Sequence, residues 1–165
     1  MLILKTNHGE IAVELFEETA PVSSKNFHDY AWDGFYDGTI FHRVIEGFMI
    51  QGGGLTADLR EKPNRAPIEN EAGNGEKNAK YTLAMARTSD PNSATSQFFI
   101  NVADNSFLDR DECQDGYGYA VFGRVVSGTE VVDSISRVAT GNKRGMGDVP
   151  LETVVIESIE VRDDP

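Results

Sequence analysis

Cysteine is nearly absent: Cys113 is the single one in 165 residues, so no intrachain disulfide can form and no Cys-rich metal site can be assembled. A reducing compartment suits such a chain. Basic charge is also scarce, with 15 Lys and Arg against 27 Asp and Glu for a net charge of -12. That balance argues against nucleic-acid backbones and anionic membranes as partners, because both are held by clustered Lys and Arg. Long hydrophobic runs are missing as well. The opening MLILKTNHGE turns polar after four positions, too soon for the apolar region of a signal peptide, and no run approaches a membrane span. A cytoplasmic protein is expected.

The familiar catalytic signatures are equally scarce. No serine sits in a G-x-S-x-G elbow, and Cys113 lies in an acidic segment that would raise its pKa. No H-E-x-x-H is present. His28 has neither an acid nor a second His at ligand spacing. Asp109, Asp111 and Asp115 resemble the start of a calcium loop, but Cys113 and Gln114 stand where an oxygen ligand and the loop glycine belong. Gly52, Gly53 and Gly54 are followed by no Lys-Ser or Lys-Thr, so they do not form a P-loop. No metal and no cofactor is expected.

What the chain does have is ordinary globular composition, 39% hydrophobic and 25% charged, in one expected domain over residues 1–165. Leu2–Thr6 and Ile11–Phe16 flank the turn cluster Asn7-His8-Gly9-Glu10 and read as a β-hairpin. Val22–Trp32, behind Pro21 and with Phe27, Tyr30 and Ala31 at helical spacing, reads as a helix ended by Gly34. Leu55–Lys80 is a long surface connection. Tyr81–Ala86, Gln97–Val102, Tyr119–Val126 and Thr153–Val161 read as strands, and Thr129–Val138 as a second helix capped by Thr129. Gly141–Gly147 reads as a basic solvated turn and Arg162–Pro165 as a frayed end. Many short strands with two modest helices predict a mainly antiparallel β-barrel or sandwich, the helices covering its edges or mouths.

The chemistry concentrates in Phe41–Gly54, FHRVIEGFMIQGGG. Strand alternation predicts Phe41, Arg43 and Ile45 on one face, His42 and Val44 on the other. A turn at Glu46-Gly47 then leads to Phe48, Met49, Ile50 and Gln51 before the three glycines remove side chains altogether. Downstream, the polar Ala103–Gly118 segment carries Phe107 and Leu108 side by side, as either a plug over the core or a wall of a pocket. Arginine, glutamine and large apolar groups bind and polarise; they do not attack. A reaction suited to them is rotation about an X-Pro peptide bond, in which no bond breaks and a barrier of roughly 18–20 kcal/mol comes from amide resonance.

Taken together, FHRVIEGFMIQGGG, the MAR of Met85–Arg87, the SQFFI of Ser96–Ile100, the FLD that begins at Phe107 and the YAVFGRV that begins at Tyr119 resemble the cyclophilins, peptidyl-prolyl cis-trans isomerases, of the compact bacterial cytoplasmic kind. The motifs follow the family's order over nearly the whole chain. The resemblance implies a closed eight-stranded antiparallel β-barrel capped by two α-helices. It also implies that Arg43 is the catalytic arginine, with Gln51 binding and orienting substrate. Phe48, Met49, Phe99 and Leu108 match the proline pocket, Ala86 a stretch that meets substrate backbone, and Gln97 a glutamine flanking the arginine. Three positions depart from the eukaryotic pattern: Phe107 stands where the cyclosporin-sensitive members have Trp, Tyr119 where they have His, and Arg87 where they have Asn. All three remain substrate-binding positions by resemblance, while cyclosporin is expected to bind weakly. The implied partners are proline-containing peptides and unfolded or nascent chains, met by a monomer that assists folding.

Overall fold

The computed structural model describes residues 1–162. Ten strands and two helices follow in the order β1 (Leu2–Thr6), β2 (Gly9–Leu15), α1 (Pro21–Trp32), β3 (Thr39–Ile45), β4 (Met49–Thr56), β5 (Thr82–Met85), β6 (Phe98–Asn101), β7 (Val121–Ser127), α2 (Thr129–Ser136), β8 (Thr140–Lys143), β9 (Met146–Pro150) and β10 (Val155–Val161). Eight of the strands close into an antiparallel barrel in the order β1-β10-β3-β4-β6-β5-β7-β2, and β8 and β9 form a separate two-stranded sheet. Closure leaves no barrel edge unpaired, which a small mainly β protein otherwise has to protect.

The interior is filled by side chains from every wall, among them Leu4, Val13, Phe41, Ile50, Leu83, Phe98, Ile100, Phe122 and Ile156, together with Phe27 and Tyr30 of α1 and Val132 and Ile135 of α2. The aromatic part is tightly organised. Phe27 meets Phe98 edge-on at 5.1 Å, and Phe98 meets Tyr36 at 5.7 Å. The start of α1 has no cap from its own first turn. Instead the Glu71 carboxylate accepts from the Ser23 and Val22 amides at 2.6 and 3.2 Å, which satisfies orphan donors and places negative charge at the positive end of the helix. The long 55–80 connection is thereby tied to the barrel.

Several local expectations are corrected. Phe41 pairs with Gly52 and Arg43 with Gln51, so β3 has one residue too many and bulges at His42. The bulge breaks the alternation: Phe41 and Val44 both point into the interior, while Arg43 is exposed on the outer face near Ile45. β7 begins two residues after Tyr119, whose amide bonds the Leu108 carbonyl at 2.9 Å instead of a neighbouring strand. Gly128, at φ 89°, occupies the cap of α2 expected of Thr129. The 141–147 stretch is no solvated loop but the β8–β9 hairpin, turned by Arg144 and Gly145 at φ 50° and 78°. Arg162 bonds Met1 through both backbone groups, at 2.8 and 3.0 Å; the rest of the expected frayed end, 163–165, lies outside the described residues.

Candidate active site

The outer face of β4, β6, β5 and β7 carries a second apolar cluster. Met49, Ala84, Ala86, Phe99, Leu108 and Val121 are buried there, with Phe16, Ile45, Phe48 and Tyr119 packed against them. Alternation along the strands produces it, since Phe98 and Ile100 point inward while Phe99 points out, and Leu83 and Met85 point inward while Ala84 points out. Cross-strand register then aligns a row. Arg43 pairs with Gln51, Gln51 with Phe99, Phe99 with Ala84 and Ala84 with Val121. One polar end and a long apolar floor thus lie on adjacent strands.

Above this row is a concavity of about 250 Å³ lined by Arg43, Phe48, Met49, Gln51, Ala86, Arg87, Phe99, Leu108 and Tyr119. Arg43 Nη1 donates to Gln51 Oε1 at 3.4 Å, and Gln51 Nε2 donates to Gln97 Oε1 at 3.0 Å. The second bond fixes the Gln51 amide with its oxygen toward the arginine. Gly54 makes room for this arrangement, because a Cβ there would lie 2.4 Å from Gln97 Cγ. Gly53 turns at φ 90°, and a Cβ on it would meet the Phe98 and Tyr36 rings at 2.8 and 2.9 Å. The glycine run is a packing device beneath the site.

Of the residues singled out from sequence, two stand outside this concavity. Gln97 lies one step behind Gln51, in a polar groove of about 290 Å³ shared with Glu61, Asn64, Ser93 and Thr95. Phe107 is 55% exposed and packs against Phe48, ring tilted by 31° at 5.7 Å between ring centres, on the rim and beside a third, shallow hollow. Tyr119 stands edge-on to Phe99 at 5.8 Å. Arg87 borders the concavity, yet its side chain is only 3% exposed. Its Nη2 meets Asp115 Oδ2 at 2.7 Å, and the Tyr117 amide followed by this guanidinium holds the Asp115 carboxyl well below its ordinary range. His42, in the bulge behind Arg43, is buried with Nδ1 unpartnered; burial first, and the Arg43 charge second, lower its pKa to about 4.

A buried polar cluster, of which the sequence singled out only Asp109, holds the segment that carries Leu108. Asn105 Nδ2 donates to the Phe48 carbonyl at 2.9 Å and to Asn101 Oδ1 at 2.8 Å. Asn101 bonds Asn78 at 3.1 Å, and Asp109 Oδ1 accepts from the Asn78 amide at 2.7 Å. These side chains satisfy one another around the segment that carries Leu108. Asn78, Asn105 and Asp109 lie in polar stretches and look like turn residues in sequence; only long-range pairing reveals them. Among the described residues, no group of three or more His, Cys, Asp or Glu could hold a metal ion.

Comparisons with known proteins match nearly the whole chain. The family described as cyclophilin type peptidyl-prolyl cis-trans isomerase/CLD matches residues 1–161. Peptidyl-prolyl cis-trans isomerase cyp18 of Streptomyces antibioticus is 57% identical over 159 residues, covering 96% of each chain. Peptidyl-prolyl cis-trans isomerase B of Escherichia coli K12 is 55% identical over 162 residues, covering 98% of this chain and 99% of its own. Among solved structures, a cyclophilin type isomerase of Cryptosporidium parvum, crystallised in the presence of the dipeptide Ala-Pro, superposes with a TM-score of 0.78 at 28% identity over 99% of both chains. An eight-stranded barrel, an arginine–glutamine pair at the edge of an apolar hollow and a match along nearly its whole length lead to one conclusion: the chain belongs to the cyclophilin-type peptidyl-prolyl cis-trans isomerase family.

Proposed function

We propose that this chain accelerates cis-trans rotation about X-Pro peptide bonds, with the proline ring seated over Met49, Phe99 and Leu108 and with Arg43 facing the prolyl nitrogen. The observation that carries the reading is the position of Arg43: an exposed guanidinium beside the apolar floor, oriented by a hydrogen bond to Gln51 at 3.4 Å. In the planar ground state the prolyl nitrogen has given its lone pair to the carbonyl and accepts nothing. At the twisted transition state the lone pair returns, so a guanidinium N–H aimed at that nitrogen is favoured in the transition state more than in either isomer. A thousandfold acceleration needs about 4 kcal/mol, on the scale of one or two charge-assisted hydrogen bonds at ~1.5–3 kcal/mol each in a site partly screened from water. Gln51 orients the arginine, and Ala86 and the polar groove beside Gln97 accommodate the flanking peptide backbone. Phe48, Phe107 and Tyr119 supply aromatic walls.

The partners proposed are proline-containing peptides within unfolded or nascent chains, approached by a monomeric single-domain enzyme in the cytoplasm. The Ala-Pro present with the Cryptosporidium relative supports that substrate class, and the single cysteine supports a reducing location. No helix among the described residues is long and apolar enough to cross a membrane. The reading is tested by NMR exchange spectroscopy on a short X-Pro peptide. Acceleration at catalytic protein concentration is expected; saturable binding without acceleration would make the protein a proline-peptide binding module instead.

A further inference from the structure

Arg87 borders the Arg43 concavity, the polar groove beside it and a third hollow of about 560 Å³ toward Gln114. A cation in that position is expected to face ligand. Its donors are nevertheless used internally: Nη2 reaches Asp115 Oδ2 at 2.7 Å and the Gly118 carbonyl at 2.9 Å, Nε reaches the same carbonyl at 3.2 Å, and Nη1 reaches the Thr88 carbonyl at 3.0 Å. Those contacts occupy four of the five guanidinium N–H groups. The guanidinium carbon lies 4.3 Å from the centre of the Tyr119 ring, within cation–π range.

These contacts join the end of β5 to the segment 115–119. The backbone of that segment is also held elsewhere: the Gly116 amide bonds the Cys113 carbonyl at 2.9 Å, the Tyr119 amide bonds the Leu108 carbonyl at 2.9 Å, and the Tyr119 carbonyl accepts from Asn78 Nδ2 at 3.3 Å. Asp115 turns it by accepting from the Tyr117 and Gly118 amides at 3.0 and 3.4 Å, and Asn70 Nδ2 reaches the Gly118 carbonyl at 3.0 Å. The cluster of Asn78, Asn101, Asn105 and Asp109 secures the base of the loop and the Tyr119 backbone without Arg87, which leaves the Tyr119 ring as the part that Arg87 faces. Arg87 itself lies two residues beyond the end of β5, outside the barrel strands. Its effect therefore falls on Tyr119, which forms one wall of the concavity, and through the Tyr119 amide on Leu108.

We propose that Arg87 is a positioning residue of the isomerase: its guanidinium, bonded to Asp115, Gly118 and Thr88, holds Tyr119 and Leu108 at the spacing that grips a prolyl ring, and does not itself touch substrate. The inference rests on reading the concavity as the prolyl site. Lysine cannot replace it, because an ammonium lacks the planar fork and the flat face presented to the Tyr119 ring.

The test compares the full-length protein with Arg87→Lys, Asp115→Asn and the double variant. Exchange kinetics and NMR titration use the tetrapeptide Ala-Ala-Pro-Phe, with thermal melting and the Tyr119 ring resonances followed alongside. Arg87→Lys is expected to raise KM and Kd roughly tenfold with kcat within about twofold, the pattern of lost binding rather than lost transition-state contact. The melting temperature should fall by a few degrees, because buried hydrogen bonds are lost, while the protein stays folded at the assay temperature, and the Tyr119 resonances should shift. Asp115→Asn should do the same more weakly, and the double variant should be no worse than Arg87→Lys alone, since both act through one contact set. Unchanged KM and Kd, an unmoved Tyr119 ring, or a loss in kcat alone would overturn the proposal, as would activity falling only in step with the melting temperature. A wild-type protein that binds the peptide but does not accelerate its isomerisation would overturn the isomerase reading alone; the Kd comparison would then still decide the role of Arg87.

Discussion

Gln51 stands opposite Arg43 across the β3–β4 pair and accepts its Nη1 hydrogen bond at 3.4 Å while donating to Gln97 at 3.0 Å. Arg43 is otherwise exposed, so this amide is what limits the directions its guanidinium can take. Replacing Gln51 with Ala should lower kcat/KM by about tenfold, equivalent to ~1.4 kcal/mol of transition-state stabilisation, with little change in melting temperature. Protease-coupled kinetics beside a thermal melt would check it, and unchanged kcat/KM would show that Arg43 needs no orienting partner.

His42 makes stability depend on acidity. Its folded pKa of about 4 lies below the ordinary 6.5, so the unfolded chain takes up a proton that the folded chain refuses. The folded state therefore keeps its full margin above pH 6.5 and loses stability as pH falls toward 4, by about 3 kcal/mol below that point and about 2 kcal/mol by pH 5. Urea unfolding of the wild type and His42→Gln at pH 7.5 and pH 5 measures this contribution. The variant should lose less stability between the two conditions; equal losses would mean that the imidazole titrates normally in the fold.

Phe107 tests the rim. It packs at a tilt against Phe48 at 5.7 Å and stays half exposed, so a larger ring fits without displacing core. Indole adds an N–H donor that phenyl lacks, open to a backbone carbonyl of a cyclosporin seated at this rim. Phe107→Trp should tighten cyclosporin by about 1 kcal/mol, on the order of five- to tenfold, with much less effect on turnover. Calorimetric titration of both proteins decides it. Unchanged affinity would place residue 107 outside the drug's footprint.

The barrel was readable in strands that are apolar on both faces. QFFINV announces a strand because Phe98 and Ile100 fill the interior while Phe99 covers the outside, and α1 was readable from Pro21 and the spacing of Phe27, Tyr30 and Ala31. The bulge at His42 was not, because one extra residue leaves no mark in composition and reverses the face predicted for Phe41. The β8–β9 hairpin was also missed: its exposed strands lack the apolar alternation that marks a half-buried sheet. Arg43 and Gln51 were found as types suited to the chemistry, and their contact follows from strand register. Arg87 shows the opposite case. Its commitment to Asp115 and Gly118 joins positions 28 and 31 residues apart, and nothing local to Met85-Ala86-Arg87 signals it.

The central claim is that one guanidinium supplies the catalysis, and the most direct measurement is NMR exchange spectroscopy on a single X-Pro peptide with wild type and Arg43→Ala at equal concentration. Arg43 contributes no interior volume, since it projects from the outer face of the bulge. Arg43→Ala should fold and melt like the wild type, still bind the peptide, and lose isomerisation by at least a hundredfold, or about 3 kcal/mol. Exchange within a few-fold of the wild-type rate in a folded Arg43→Ala protein would contradict it.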